Sequence, residues 1–147
     1  MTSFGSLVVG TYNRKKEQEL RESLKPLGVE VASLADFPHA VEVDETGDTF
    51  EANARLKAVG YARQLGRWVL ADDSGLAVDA LEGAPGVLSA RFAGLKASDD
   101  ANNRKLLDAL RDVPPERRTA HYVCHATLSD PQGNVLADAE DYCHGRI

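Results

Sequence analysis

The stretch VLADDSGLAVDALEGAPGVLSARFAG, Val69 to Gly94, decides how the rest of the chain is read. The apolar run Trp68-Val69-Leu70-Ala71 leads into it and predicts a buried strand. Asp72 and Asp73 follow side by side, then Ser74 and Gly75. Carboxylates at the end of a hydrophobic strand are costly unless they face water, a cation or good donors. A strand that delivers two of them into a glycine-containing turn is therefore expected to serve chemistry. Successive strand side chains point to opposite faces, so one of the pair is expected in a site while the other braces the turn. Leu76 to Leu81 fits a strand or a turn. Gly83-Ala84-Pro85-Gly86-Val87 is punctuated as a loop. Ser89 to Gly94 closes the stretch, with Arg91 as its one basic group, able to contact a phosphate or pair with an acid.

Upstream, Leu7-Val8-Val9-Gly10 predicts a first strand after a few loose residues. Thr11-Tyr12-Asn13 is a tight loop with Asn13 as a helix N-cap. A helix follows from about Arg14 to Pro26, with Leu20, Leu24 and Leu27 on one side and Gly28 as its stop. Val29 to Leu34 predicts a second strand, completing a βαβ-like opening. Arg14, Lys15 and Lys16 crowd the positive end of the helix dipole, where anions are favoured and cations are not. An anion docked on the free amides and gripped by these side chains would remove the conflict. Solvated surface charge is the other reading, and both stay open. The loop is not a Walker motif, because its glycines and GK[ST] ending are absent.

Between Asp36 and Asn53 the chain is acidic, with Asp36, Glu42, Asp44, Glu45, Asp48 and Glu51 and no Lys or Arg. Val41-Glu42-Val43 alternates like a short strand or extended arm. Asp48 and Glu51 read as a capping box with Asp as the cap. The helix then runs from about Thr49 to Gln64, packs through Phe50, Ala54, Val59 and Ala62, and ends at Gly66. Arg55, Lys57 and Arg63 give it a basic exposed face. Asp44 and Glu45 have no helical duty, which makes them the better candidates for a metal site. Downstream, Ser98 caps a helix reaching Leu110, packed through Leu106, Leu107 and Leu110, and Pro114-Pro115 breaks the chain. Ala120 to Leu128 and Val135 to Tyr142 read as a hairpin around Ser129–Gly133.

A chain of 147 residues, 43% hydrophobic and 27% charged, fits a single modest domain. No apolar run approaches a membrane span, and MTSFGSLVVG lacks the pattern of a secretion signal, so a cytoplasmic protein without a membrane partner is expected. The net charge of −6 argues against binding polymeric nucleic acid, though not against a small phosphorylated ligand. Cys124 and Cys143 are too few for a disulfide framework. With His121, His125 and His144 they do not have the spacing of a closed zinc site.

Carboxylates at a strand end, more acids upstream and a basic helix start combine naturally around a cation bridging protein to phosphate oxygens. Magnesium prefers such donors and takes one or two protein carboxylates plus waters and substrate phosphates. A remaining carboxylate could orient or deprotonate a water. Glycoside hydrolysis also uses paired carboxylates, but it leaves Arg14–Lys16 without a task. A binding module for an anionic metabolite would need the basic cluster and not both aspartates.

At these same residues the chain strongly resembles the Ham1-like, inosine-triphosphate pyrophosphatase family. Thr11-Tyr12-Asn13-Arg14-Lys15-Lys16 resembles its TGNxxK segment, Asp44-Glu45-Thr46-Gly47 its EETG, and Thr49-Phe50-Glu51-Ala52-Asn53-Ala54 its TFEENA. Leu70 to Gly94 is similar to its LADDSGLxVxxLxGxPGxxSARxAG nearly letter for letter. The resemblance implies an α/β fold: a mixed twisted sheet flanked by helices, with a cleft between two lobes. It implies hydrolysis of the non-standard purine nucleotides ITP, dITP and XTP to monophosphate and pyrophosphate, dependence on magnesium, and a homodimer. Asp73 is then the general base and a metal contact, with Asp44 as the other metal contact. Thr11, Asn13 and Lys16 contact phosphate, and Ser74 contacts substrate. Arg14, Glu45, Asp72 and Arg91 support the site.

The chain departs from the family pattern in three places. Tyr12 replaces the glycine of TGNxxK, and Ala52 stands at the second glutamate of TFEENA. The family also continues past the segment resembled by Gly145-Arg146-Ile147, through an FGYD-like motif and a Ser-His-Arg segment that hold the base. Residues 1–147 are therefore expected to form one domain lacking the family's C-terminal portion. If the protein ends at Ile147, weak base selectivity and weak or absent activity are expected unless a partner subunit completes the pocket. Two alternatives stay open: a pyrophosphatase for other modified or pyrimidine triphosphates, and a nucleotide-binding relative of little or no activity.

Overall fold

The structure, a computed structural model, describes residues 5–147; the first four positions, part of the loose start expected ahead of the first strand, lie outside the described residues. In chain order it forms strand β1 (Leu7–Val9), helix α1 (Arg14–Leu24), β2 (Val31–Ser33), α2 (Phe50–Leu65), β3 (Val69–Val78), α3 (Asp99–Ala109), β4 (Thr119–Ser129) and β5 (Val135–Arg146). The strands make one sheet in the order β2-β1-β3-β4-β5. β1 is parallel to β2 and β3, with Leu7 opposite Val31 and Val8 opposite Val69. Parallel neighbours need a crossover, which α1 supplies between β1 and β2 and α2 supplies on the way to β3. β4 and β5 are joined only by a turn, where the Asp130 N–H donates to the Asn134 carbonyl at 3.0 Å, so they form an antiparallel hairpin. The result is the mixed α/β sheet flanked by helices that the resemblance implies.

The chain divides into two compact units, Met1–Asp72 with His125–Ala139, and Asp73–Cys124 with Glu140–Ile147. The core of the first gathers Val8 from β1, Leu34 after β2, Ala58, Tyr61 and Ala62 from α2, and Val69 and Ala71 from β3. The core of the second joins Val78, Leu106, Leu110 and Ala120, with Leu76, Leu81 and Phe92 packed around them. Each fully buried aliphatic side chain contributes about 1.5–3 kcal/mol. β5 is exposed along its length and is the last strand of the sheet. Glu140, Asp141, His144 and Arg146 put ionisable groups along it.

Several local expectations need correction. Asp72, Asp73, Ser74 and Gly75 do not form a turn, because β3 continues through them to Val78. The turn comes later, at a 3-10 segment spanning Asp79–Leu81. The cap of α2 is Thr49 and not Asp48: its extended backbone lets Oγ1 accept from the Ala52 N–H at 3.0 Å. Glu51 then pairs forward with Arg55 at 2.9 Å instead of reaching back as a capping box. Leu27 is 70% exposed, since the chain tightens at Lys25–Leu27 into a 3-10 turn whose shorter period rotates that leucine off the packed side. Leu107 is also exposed, while Leu106 and Leu110 carry the packing of α3. Val41–Val43 lies outside any helix or strand. Among the described residues no helix is long and apolar enough to cross a membrane.

Candidate active site

In the first unit the loop after β1 builds its own helix start. Thr11 Oγ1 accepts from the Asn13 N–H at 3.0 Å, and Asn13 Oδ1 accepts from the N–H groups of Lys15 and Lys16 at 3.0 and 3.3 Å. Two of the amides expected to meet an anion are thus already capped, which a bare reading of the dipole overlooks. The basic crowding is also partly answered from within the chain. Lys16 Nζ lies 3.0 Å from Asp72 Oδ2 of β3, and Glu17 adds an acid to the first turn. Asp72 is buried, so its carboxylate needs such a donor, and Lys16 brings it from a side chain only partly exposed. Arg14 stays exposed. Tyr12, half exposed, sets its ring edge against Tyr61 at 6.2 Å between centroids and points its hydroxyl toward the Ala40 carbonyl.

The acidic segment is laid along one face of α2. Gln64 donates to the Val41 carbonyl at 2.9 Å and accepts from the Val41 N–H at 2.8 Å. Tyr61 Oη accepts from the Val43 N–H at 3.2 Å, and burial raises the Tyr61 phenol above its ordinary pKa. Lys57 is ion-paired to Glu45. Asn53 accepts from the Gly47 N–H at 2.7 Å and donates to the Gly47 carbonyl at 3.2 Å. Residues 41, 43, 45 and 47 thus meet positions 64, 61, 57 and 53, an alternating segment matched to successive helix turns. A Cβ on Gly60 would come within 2.7 Å of Val43 Cγ2, so the contact needs a glycine there. The alternation also separates the two acids: Glu45 is drawn onto the helix, while Asp44 stays exposed.

Asp73 opens the second unit as a buried residue whose Oδ1 accepts from the Ser74 N–H at 3.1 Å. Both aspartates of the pair are therefore buried, where alternation alone predicted different surroundings for each. Ser74 is half-buried. Beyond β3, Ser89 accepts from the Leu76 N–H at 2.9 Å and donates to the Gly86 carbonyl at 2.6 Å, folding the glycine–proline loop back on the strand. Asn102 of α3 bonds both Ala90 and Ala93, so that helix secures the segment carrying Arg91, itself exposed.

The sequence reading missed Lys57. It was assigned to the exposed face of α2, yet its side chain is only 11% exposed and holds Glu45. Its place one turn after Asn53 on the buried side was the available signal. Also missed was a cluster around Asp138 of β5. That carboxylate accepts from Arg55 at 2.8 Å and from Thr127 at 2.7 Å and lies 2.8 Å from His125 Nε2. The Arg55 guanidinium, with His125 and Thr127, holds its pKa well below the usual carboxylate range. Among the described residues no group of three or more His, Cys, Asp and Glu side chains gathers as a metal cage.

Fold and site together define an α/β protein that opens with a parallel βαβ unit, caps α1 with a Thr-x-Asn loop, and sets that basic helix start against a buried strand carboxylate. The sequence pattern of the Ham1 family matches residues 7–147, and the chain belongs to that family. A dITP/XTP pyrophosphatase from Rhodopirellula baltica is 52% identical over 147 residues, covering 100% of this chain and 71% of the relative. One from an Exiguobacterium species is 55% identical over 130 residues, 88% of this chain and 65% of the relative. The Ham1 protein of Staphylococcus aureus superposes with a TM-score of 0.84 at 36% identity, covering 97% of this chain and 72% of that one. A nucleoside-triphosphatase/dITP/XTP pyrophosphatase from Mycobacterium abscessus gives 0.81 at 44% identity, covering 97% and 73%. The chain thus spans between 65% and 73% of the length of these relatives.

Proposed function

We propose that this chain hydrolyses non-standard purine nucleoside triphosphates, ITP, dITP and XTP, to the monophosphate and pyrophosphate. What carries the reading is the 52% identity, over the whole of this chain, to a dITP/XTP pyrophosphatase. The charge placement at the start of α1 agrees with it. Thr11 retains a hydroxyl hydrogen for a phosphate oxygen, and Asn13, whose oxygen caps the helix, retains its amide hydrogens. Lys16 moves from Asp72 toward the phosphates and stabilises the charge that develops on departing pyrophosphate. Asp73 takes a proton from the water that attacks the α-phosphorus. The bond from that phosphorus to the bridging oxygen breaks as the new P–O bond forms. Ser74 contacts the substrate, with Arg14, Asp72 and Arg91 in support.

Carboxylate oxygens from Asp44 and Asp73, with Glu45 in support, are the hard donors that magnesium prefers, and one or two suffice when phosphates and water supply the rest. The ion would neutralise phosphate charge. The same reading makes the protein a cytoplasmic homodimer that takes a small-molecule substrate and no polymeric nucleic acid. Pyrophosphate release should be measured with magnesium on ITP, XTP, dUTP and the four ordinary triphosphates. Clear preference for ITP and XTP is expected, and equal rates on ATP and ITP would refute the assignment.

A further inference from the structure

We propose that Asn53 is a positioning residue for the cation-binding acids, acting through the peptide groups of Gly47; this rests on the magnesium-dependent reading above. The side chain of Asn53 is fully buried, so its amide must be satisfied inside the protein. It is satisfied on both sides by one residue: its oxygen accepts from the Gly47 N–H, and its NH2 donates to the Gly47 carbonyl. A two-point grip of this kind fixes the orientation of a peptide as well as its distance. Gly47 is two residues from Glu45 and three from Asp44, so its plane sets the direction in which the acidic segment leaves the helix.

The neighbourhood allows little alternative. A Cβ on Gly47 would meet Ala52 Cβ at 2.6 Å and Asn53 Oδ1 at 2.8 Å, so the backbone lies directly on the helix there. Thr49, two residues beyond Gly47, caps that helix, so both sides of the bend are fixed to the first turn of α2. In the second unit the buried Asn102 makes a comparable two-sided grip, accepting from the Ala93 N–H and donating to the Ala90 carbonyl, far along the chain from Asp44 and Glu45. The two amides are equivalent as hydrogen-bonding devices and differ in what they hold. Groups that orient a metal ligand without touching the ion change metal affinity by about 10–100-fold when removed.

The comparison of Asn53→Ala with Asn102→Ala tests this. Both variants should lose thermal stability. Only Asn53→Ala should weaken Mn2+ binding, read by electron paramagnetic resonance with Mn2+ alone, by about tenfold or more. It should raise the magnesium concentration for half-maximal ITP turnover in parallel, and the Gly47 amide should exchange faster. Mn2+ affinity within twofold of wild type in Asn53→Ala overturns the inference, as does an equal loss in Asn102→Ala. Wild-type protein that neither binds Mn2+ nor releases pyrophosphate from ITP overturns the reading underneath, and the inference with it.

Discussion

Replacing Asp138 with alanine removes an acceptor used by three side chains at once, and the structure allows the cost to be apportioned. Arg55 is about half exposed, with a side-chain exposure of 47%, so its bond is screened by solvent and adds little. Thr127 is fully buried and His125 nearly so. A buried donor deprived of its acceptor costs about 1–3 kcal/mol. With one such loss for each of those two groups, Asp138→Ala should destabilise the fold by about 3 kcal/mol, and a chain of this size then melts about 6–12 °C lower. Asp138→Asn keeps an oxygen for Thr127 and loses the charge, so it should fall about midway. The pH dependence has a definite sign. The folded carboxyl titrates well below its unfolded value, so its contribution is present above about pH 4 and fades as the pH falls below that. Urea unfolding at neutral pH and near pH 3 should show the gap between wild type and Asp138→Ala narrowing on acidification. A difference under about 0.5 kcal/mol at neutral pH would refute the reasoning, because buried donors could not then depend on this acceptor.

Asp73→Asn should lower ITP turnover by about a hundredfold or more with little change in melting temperature, and equal rates for variant and wild type would remove Asp73 from the chemistry. Lys16→Ala should raise the KM for ITP and cost about 1–3 kcal/mol of stability, since buried Asp72 loses its cation. Adding Asp72→Asn should recover most of the stability and none of the affinity, as read by parallel melts and ITP kinetics; recovery of neither would argue against the pair as a stabilising contact. Gly60→Ala should destabilise by about 1–3 kcal/mol through its clash with Val43, and Val43→Ala in the same chain should relieve part of the loss; unchanged urea midpoints would count against the tight arm.

Much of this architecture can be read from local residues. The βαβ opening follows from two short apolar runs flanking a helix; Asn13 caps its start as expected, while α1 itself ends at Leu24 and Gly28 closes the 3-10 turn that follows. Ser98 as the cap of α3 and the β4–β5 hairpin follow from equally local chemistry. The misreadings share one cause. Asp48 beside Thr49 offers two plausible caps, and only the backbone path decides which side chain reaches Ala52. Asp72-Asp73-Ser74-Gly75 has the composition of a turn, yet it stays in β3, where Lys16 and the Ser74 N–H take up carboxylate oxygens.

The sequence by itself determined the family, the helix caps at Asn13 and Ser98 and most of the order of elements, because motif spacing and caps depend on neighbours within a few residues. Tertiary structure alone decided that Lys16 reaches Asp72, that Lys57 holds Glu45, and that Arg55, His125 and Thr127 converge on Asp138. Those partners lie 11 to 83 residues apart along the chain, and a charged side chain looks the same in sequence whether it faces water or a partner. Burial distinguishes the two cases, since an ionised group withdrawn from water must find compensating bonds, and only the folded backbone brings those within reach.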